Sequence, residues 1–342
     1  SLGFTSSYLD ELIESTDSAD ELLDAMNGEG GNKYDNNETP GALAEKYIVP
    51  PFSILDSRQG YWQDRKRKWS TLIHSGDGRG DELLGSGLMK LAAQMGSTTL
   101  TGTSIFDPCL AEILMTWFCP QGGNIIDPFA GGSVRGLVSA MLGHNYTGVD
   151  LSKKQIDANK ENWKEVSHLN DMTGQPLRMP TWIHGDSTNI DKLAAGEYDF
   201  MLACPPYADL EVYSDDPRDI SNMEYPQFKE AYSKIIRKTV DMLKPNAFAA
   251  IVVGEVRDKK GHYLNFVGDT IAAFREAGAH YYNECILLNM VGTASLRANK
   301  TFESGRKVVK MHQNVLVFLK GDAKKINLKP YKFEFEEAEE AV

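Results

Sequence analysis

One stretch constrains this chain more than any other: an apolar run that ends in an acid and breaks at two glycines. Asn124-Ile125-Ile126-Asp127-Pro128-Phe129-Ala130 stops at Gly131-Gly132, and an apolar helix pattern follows from Val134 to Leu142. A buried strand, a glycine turn and a helix make the opening of a βαβ unit. Tyr146-Thr147-Gly148-Val149-Asp150 then reads as the second strand, ending in a carboxylate that can accept both hydroxyls of a ribose. Glycines at such a turn let the backbone approach a ligand and leave a helix N-terminus facing it. The spacing is not the G-x-G-x-x-G of a nicotinamide site, and Gly131 and Gly132 could equally do no more than close a tight strand-to-helix turn.

A second segment sharpens the reading. The apolar run Tyr198–Ala203 leads into Cys204-Pro205-Pro206-Tyr207. Two prolines cannot continue a central strand, because neither has an N–H to donate. They form a rigid corner at the carboxyl end of the sheet, where open α/β sheets bind ligands. The carbonyl of Pro205 is left to accept a hydrogen bond, and Tyr207 offers a flat face.

Asp127-Pro128-Phe129-Ala130-Gly131 followed by Cys204-Pro205-Pro206-Tyr207 resembles the paired motifs of amino-group DNA methyltransferases, D-P-F-x-G-x-G and D/N/S-P-P-Y/F/W. Those enzymes methylate N6 of adenine or N4 of cytosine with S-adenosylmethionine. The resemblance covers residues 104–321 and implies a Rossmann-like class I α/β fold of seven strands. It implies cofactor contacts from Phe106, Asp107, Asp127, Pro128, Phe129, Gly131, Gly132, Asp150, Leu151, Asp186, Ser187 and Cys204. Cys204, Pro205, Pro206 and Tyr207 would hold the target base. Asp127, an acid at the end of an apolar strand, needs a partner, and the ammonium of a bound methionine moiety would supply one.

The chain departs from the family at two places. Ser133 stands at the third glycine position, and Cys204 stands where the family has Asp, Asn or Ser. A thiol accepts a hydrogen bond poorly. Cysteine is nearest to serine in size, and serine there goes with cytosine N4 enzymes. The covalent alternative, a Cys204 nucleophile, is less well supported, because cytosine C5 enzymes carry Pro-Cys and here the cysteine precedes the prolines.

Other segments carry two readings each. Asp107-Pro108 precedes the helix pattern Leu110–Phe118 and can cap it as well as border the cofactor. Asp186, closing the strand Thr181–His184, can meet the cofactor's adenine or cap a short helix. Further strands fall at Asn246–Val256, Tyr281–Leu288 and Asn314–Leu319, with helices at Pro226–Leu243 and Tyr263–Ala277. The stretch from Thr293 to Met311 reads as a basic loop in which Arg297, Lys300, Arg306, Lys307 and Lys310 face one acid, Glu303. Such a loop suits phosphate positioning. The acidic, aromatic stretch Ala208–Asp216 suits base edges better. Arg58–Trp69 mixes bases with Tyr61, Trp62 and Trp69, and reads either as a nucleic-acid contact or as a helix whose aromatics pack down. More loosely, this combination resembles phage-borne methylases, which would place the protein in a bacterial host's cytoplasm.

The net charge of −12 is unevenly spread: residues 1–45 carry −10 and residues 331–342 carry −4, leaving the rest at +2. A nucleic-acid partner must therefore be held by local patches. Four domains are expected: 1–45, an acidic amphipathic helix (Tyr8–Met26) and linker, the helix a candidate protein-docking element; 46–100, an extension with candidate substrate contacts; 101–322, the catalytic domain; and 323–342, an acidic tail. Neither a signal peptide nor a membrane-spanning run is visible. The four cysteines, 109, 119, 204 and 285, are dispersed, which suggests a reducing, cytoplasmic setting and no zinc. The function expected is DNA methylation at an exocyclic amine. An RNA enzyme of the same fold and an inactive DNA-binding relative are the alternatives.

Overall fold

The computed structural model describes residues 42–73, 105–206, 216–289 and 294–335, with a few side chains left out. The chain divides into two units, Ser1–Pro51 and Phe52–Val342. The described part of the first holds one short helix, α1 (Ala42–Tyr47). The acidic helix expected at Tyr8–Met26 lies outside the described residues.

The second unit opens with β1 (Ile54–Asp56), α2 (Gly60–Leu72) and α3 (Pro108–Phe118). Strands and helices then alternate: β2 (Asn124–Asp127), α4 (Val134–Met141), β3 (Asn145–Asp150), α5 (Lys153–Val166), β4 (Thr181–His184), α6 (Ile190–Leu193) and β5 (Tyr198–Ala203). The series continues with α7 (Tyr225–Asp241), β6 (Leu243–Val253), α8 (Phe266–Glu276), β7 (His280–Leu288), α9 (Ala294–Gly305) and β8 (His312–Lys320).

The strands form one sheet in the order β1-β7-β8-β6-β5-β2-β3-β4. Every neighbouring pair is parallel except those made by β8, which runs antiparallel to both β6 and β7. Parallel strands covered on both faces read as continuous apolar runs, and Phe200, Met201, Leu202 and Ala203 of β5 are fully buried. On one face Phe228 and Tyr232 of α7 pack with Phe266 and Phe274 of α8, and Phe274 stacks on Phe318 of β8 at 4.0 Å.

The sheet has one strand more than the seven expected. β1 extends it beyond β7, pairing Ile54 with Ile286 and Leu55 with Leu287. Residues 52–73, assigned from sequence to a separate extension, thus belong to the same unit as the sheet. The described part of the tail, residues 323–335, also packs back. Tyr331 donates its hydroxyl to the carbonyls of Met115 and Cys119 at 3.0 and 3.1 Å, and Phe333 stacks on Trp69 at 5.1 Å. Residues 294–305, expected as part of a loop, are the helix α9.

α3 is buried from Pro108 through Thr116, so it needs cover on every side. α2 provides some of it with Trp62 and Trp69, both fully buried. The cost of burying Glu112 in α3 is offset by a two-pronged contact from Arg65 (2.7 and 2.5 Å) and by the indole N–H of Trp69 at 2.7 Å. The basic, aromatic stretch 58–69 therefore serves packing with its two tryptophans, while Tyr61 stays 41% exposed.

Candidate cofactor and base site

β2 and β5 are neighbours, but the chain leaves β2 for β3 on one side and β5 for β6 on the other. Such a reversal opens a crevice beyond the carboxyl ends of the strands, where open α/β sheets bind ligands. Ile126 pairs with Met201, so Asp127-Pro128-Phe129 and Cys204-Pro205-Pro206 leave the sheet side by side as its two lips. Asp127, Pro128 and Pro205 are buried, whereas Phe129, Gly131, Asp150, Leu151, Asp186, Cys204 and Pro206 are half-buried and Gly132 is exposed. The lips thus have buried footings and accessible tips. Tyr207 and residues 208–215 lie outside the described residues.

The glycine turn is held by three hydrogen bonds from two elements, β3 and α5. Gly131 N–H donates to Asp150 Oδ2 at 2.8 Å, Asn159 of α5 donates to the Gly131 carbonyl at 2.8 Å, and Ala130 N–H donates to the Val149 carbonyl at 3.0 Å. Gly131 has φ +51°, which a side chain resists. Gly132 differs: its φ is ordinary, and a Cβ added there would meet nothing within 4 Å. Internal packing gives no reason for glycine at 132.

Asp127 was expected to need a partner. The acid finds its partner within the chain: Oδ2 accepts from Arg135 Nε at 2.6 Å and from the Tyr146 hydroxyl at 2.7 Å, while Oδ1 accepts from Phe129 N–H at 2.9 Å. No ammonium is needed to satisfy it. Arg135, the second residue of α4, also donates to the carbonyls of Phe129 (2.6 Å) and Ala130 (3.0 Å), and its guanidinium lies 4.7 Å from the centre of the Phe106 ring. Burial opposes its charge, but Asp127 and Tyr146 outweigh this and hold its pKa above the ordinary value. Sequence reading missed Arg135. The signal was a charged residue inside the buried helix pattern, eight positions after an equally buried acid.

The remaining acids hold backbone as well as bordering the crevice. Asp150 Oδ1 accepts from Ser152 N–H at 2.8 Å. Asp186 caps a short turn through Thr188, and Ser187 donates to the Pro128 carbonyl at 2.6 Å, bracing the β4 end against the β2 lip. Asp107 caps α3 with Oδ1, while its Oδ2 accepts from Trp62 Nε1 (3.3 Å) and Lys66 Nζ (2.9 Å). Both readings of Asp107 and of Asp186 are thus compatible with their positions.

The basic residues lie towards the same end of the sheet. β8 is antiparallel to β6 and pairs Asn314 with Val253, so the chain preceding it runs past the carboxyl end of β6. Lys300 on α9 is exposed, as are Arg306 and Lys307, and Lys310 Nζ donates to Asn314 Oδ1 at 3.2 Å. Arg297 falls in α9, with its side chain outside the described residues. Among the described residues no cluster of His, Cys, Asp or Glu could hold a metal ion, and no helix is long and apolar enough to cross a membrane.

The strand order, the reversed β8 and the switch-point crevice define a Rossmann-like fold of the class I S-adenosylmethionine-dependent methyltransferase type. No family profile matches the chain, and no curated protein does. Among solved structures it is similar to TrmN from Thermus thermophilus (16% identity, TM-score 0.42), with 67% of this chain covered. The match spans about half (53%) of TrmN's length. It is also similar to the magnesium protoporphyrin IX methyltransferase of Synechocystis PCC 6803, solved with bound SAM (11%, TM-score 0.40, 75% of this chain and 90% of that one). A third is a candidate DNA modification methylase, also from Thermus thermophilus (18%, TM-score 0.30, 41% and 52%). The fold assignment rests on the topology itself and not on these distant likenesses.

Proposed function

We propose that the crevice binds S-adenosylmethionine and that the chain methylates an exocyclic amine, N4 of cytosine or N6 of adenine, on a DNA base swung out of the duplex. One observation carries this reading: the glycine turn after β2 and the Cys204-Pro205-Pro206 corner after β5 leave adjacent strands as facing lips. A base must be extruded because its amine is otherwise stacked and paired.

The cofactor supplies an electrophilic methyl group. The chain's residues bind and orient. Asp150 accepts the ribose hydroxyls, Asp186 faces the adenine amine, and Gly131-Gly132 let the backbone close on the ligand. The Pro205 carbonyl accepts a hydrogen from the target amine and turns its nitrogen lone pair towards the methyl. Cys204 is a small neighbour that leaves room for the base, and Tyr207 stacks on it. Positioning of this kind supplies most of such a rate. In this reading Asp127 is a loop anchor held by Arg135, not the ammonium's partner.

Radiolabelled methyl transfer to duplex DNA and to RNA, followed by mass spectrometry of the nucleosides, tests the proposal. N4-methylcytosine or N6-methyladenine in DNA is the expected product. Methyl transfer confined to RNA would move the substrate class, and transfer to neither would leave a binding protein on a methyltransferase scaffold.

A further inference from the structure

Beyond Val253, β6 runs through Gly254-Glu255-Val256 into a tight turn, residues 257–263. The turn is closed by the bridge between Arg257 and Tyr263 and by Gly261 N–H donating to the Asp258 carbonyl at 2.9 Å. Ala203 pairs with Ile251, so the corner after β5 and the turn after β6 both follow the carboxyl ends of paired strands. The turn therefore begins at the rim of the crevice.

A second segment meets it there. Lys310 Nζ lies 3.9 Å from where a Cβ on Gly254 would stand, and the Lys307 side chain occupies the space that a Cβ on Gly261 would need. Residues 257–263 and 300–310 thus make one surface, with seven Lys and Arg against two acids, Asp258 and Glu303. The nearby Glu255 accepts from the Phe266 and Val267 N–H groups at the start of α8, and its charge also acts on Lys310. Lys259, Lys260, Lys300 and Lys307 are exposed and make no ion pair among the described residues. Two exposed rings carry cations: Arg257 lies 3.9 Å from the centre of Tyr263 (47% exposed), and Arg306 lies 5.2 Å from Phe302 (46%). Cations interleaved with exposed aromatics match a polyanion that also bears flat apolar faces, which is a nucleic-acid strand.

We infer that the 257–263 turn, with Lys307 and Lys310, is a subsite for the sugar-phosphate strand flanking the target nucleotide, with Tyr263 as the platform on which an adjacent base stacks. The inference rests on the nucleic-acid reading above. Lys259, Lys260 and Lys307 contact phosphates, and the subsite reads no sequence.

Fluorescence anisotropy with the full chain and labelled duplex and single-stranded oligonucleotides tests it. The variants are K259A/K260A and Y263A, with K324A/K325A as control. The control removes the same charge from exposed residues just after Lys320, at the opposite end of β8. For K259A/K260A the slope of log affinity against log salt should fall on duplex DNA by about 0.9 for each lost phosphate contact, equally for unrelated sequences. Y263A should weaken single-strand binding roughly 5- to 150-fold, and the control should leave both quantities unchanged. Wild-type behaviour of the turn variants, an equal loss in the control, or no nucleic-acid binding by the wild type each overturns the subsite. A chain that methylates DNA but ignores the turn variants loses the subsite and keeps the proposed function. A chain whose DNA binding depends on the turn but which transfers no methyl keeps the subsite and loses the function.

Discussion

At the scale of single residues, the site depends on one buried ion pair. Arg135 is 5% exposed and Asp127 not at all, and both also bond the backbone or a tyrosine hydroxyl. Deleting one member of such a pair leaves an uncompensated charge. R135A should therefore cost about 3–5 kcal/mol of stability, measured by denaturant unfolding, and should loosen the carbonyls of Phe129 and Ala130 at the cofactor loop. A variant as stable as the wild type would show that the pair is dispensable. Cys204 invites a separate test. If it is a small neighbour of the base and not a nucleophile, C204S keeps methyl transfer to DNA. Loss of activity in C204S, together with covalent trapping of the wild type on a 5-fluorocytosine duplex, would replace amine methylation with a covalent mechanism.

At the scale of elements, the strap of residues 326–335 ties the end of the described chain to α3 and to the turn after α4. Tyr331 meets the carbonyls of Met115 and Cys119 and also His144 Nε2, at 2.7 Å. Burial pushes the His144 pKa down from 6.5 to about 4. The folded pKa of this base lies below its unfolded value, so in acid the unfolded chain takes up a proton that the native one refuses. His144 has no effect on stability above about pH 6.5. From there the stability falls as the pH drops, by about 3 kcal/mol in all near pH 4, and then levels off. Denaturant unfolding between pH 7 and 4 checks this, as the difference in slope between wild type and H144Q. Identical pH slopes would mean that His144 takes up its proton as readily in the fold as in the unfolded chain. Carboxylates titrate in the same window, which is why the difference and not the total is read.

At the scale of the whole molecule, legibility followed the distance over which a signal acts. β2, β3 and β5 were readable to within a few residues, because strands buried on both faces announce themselves as local apolar runs. The crevice was readable for the same reason, since both of its lips directly follow such strands. β1 was not: it is three residues long, and its pairing with β7 depends on residues more than 200 positions away. The strap was hidden by composition, since Tyr331 and Phe333 directly precede a run rich in acids, residues 334–340, that reads as a tail. Lys153–Val166 received no assignment because its polar face dilutes the few buried positions, Ile156, Trp163 and Val166 among them. Arg135 was overlooked because periodicity counts apolar residues and passes over a charge whose partner lies on another element.

The position of β8 also sets the order in which this molecule can be completed as it is made. Among the described residues it is the last strand, yet it lies between β6 and β7. While a nascent chain is still being extended, the pair β1-β7 and the five strands from β6 to β4 present two facing edges of unpaired N–H and C=O groups. Neither edge can be closed until Lys320, the last residue of β8, has emerged from the ribosome. Open edges recruit strands from other chains. Chains interrupted before that point expose both edges, and the passage of β8 into the gap turns two half-sheets into one.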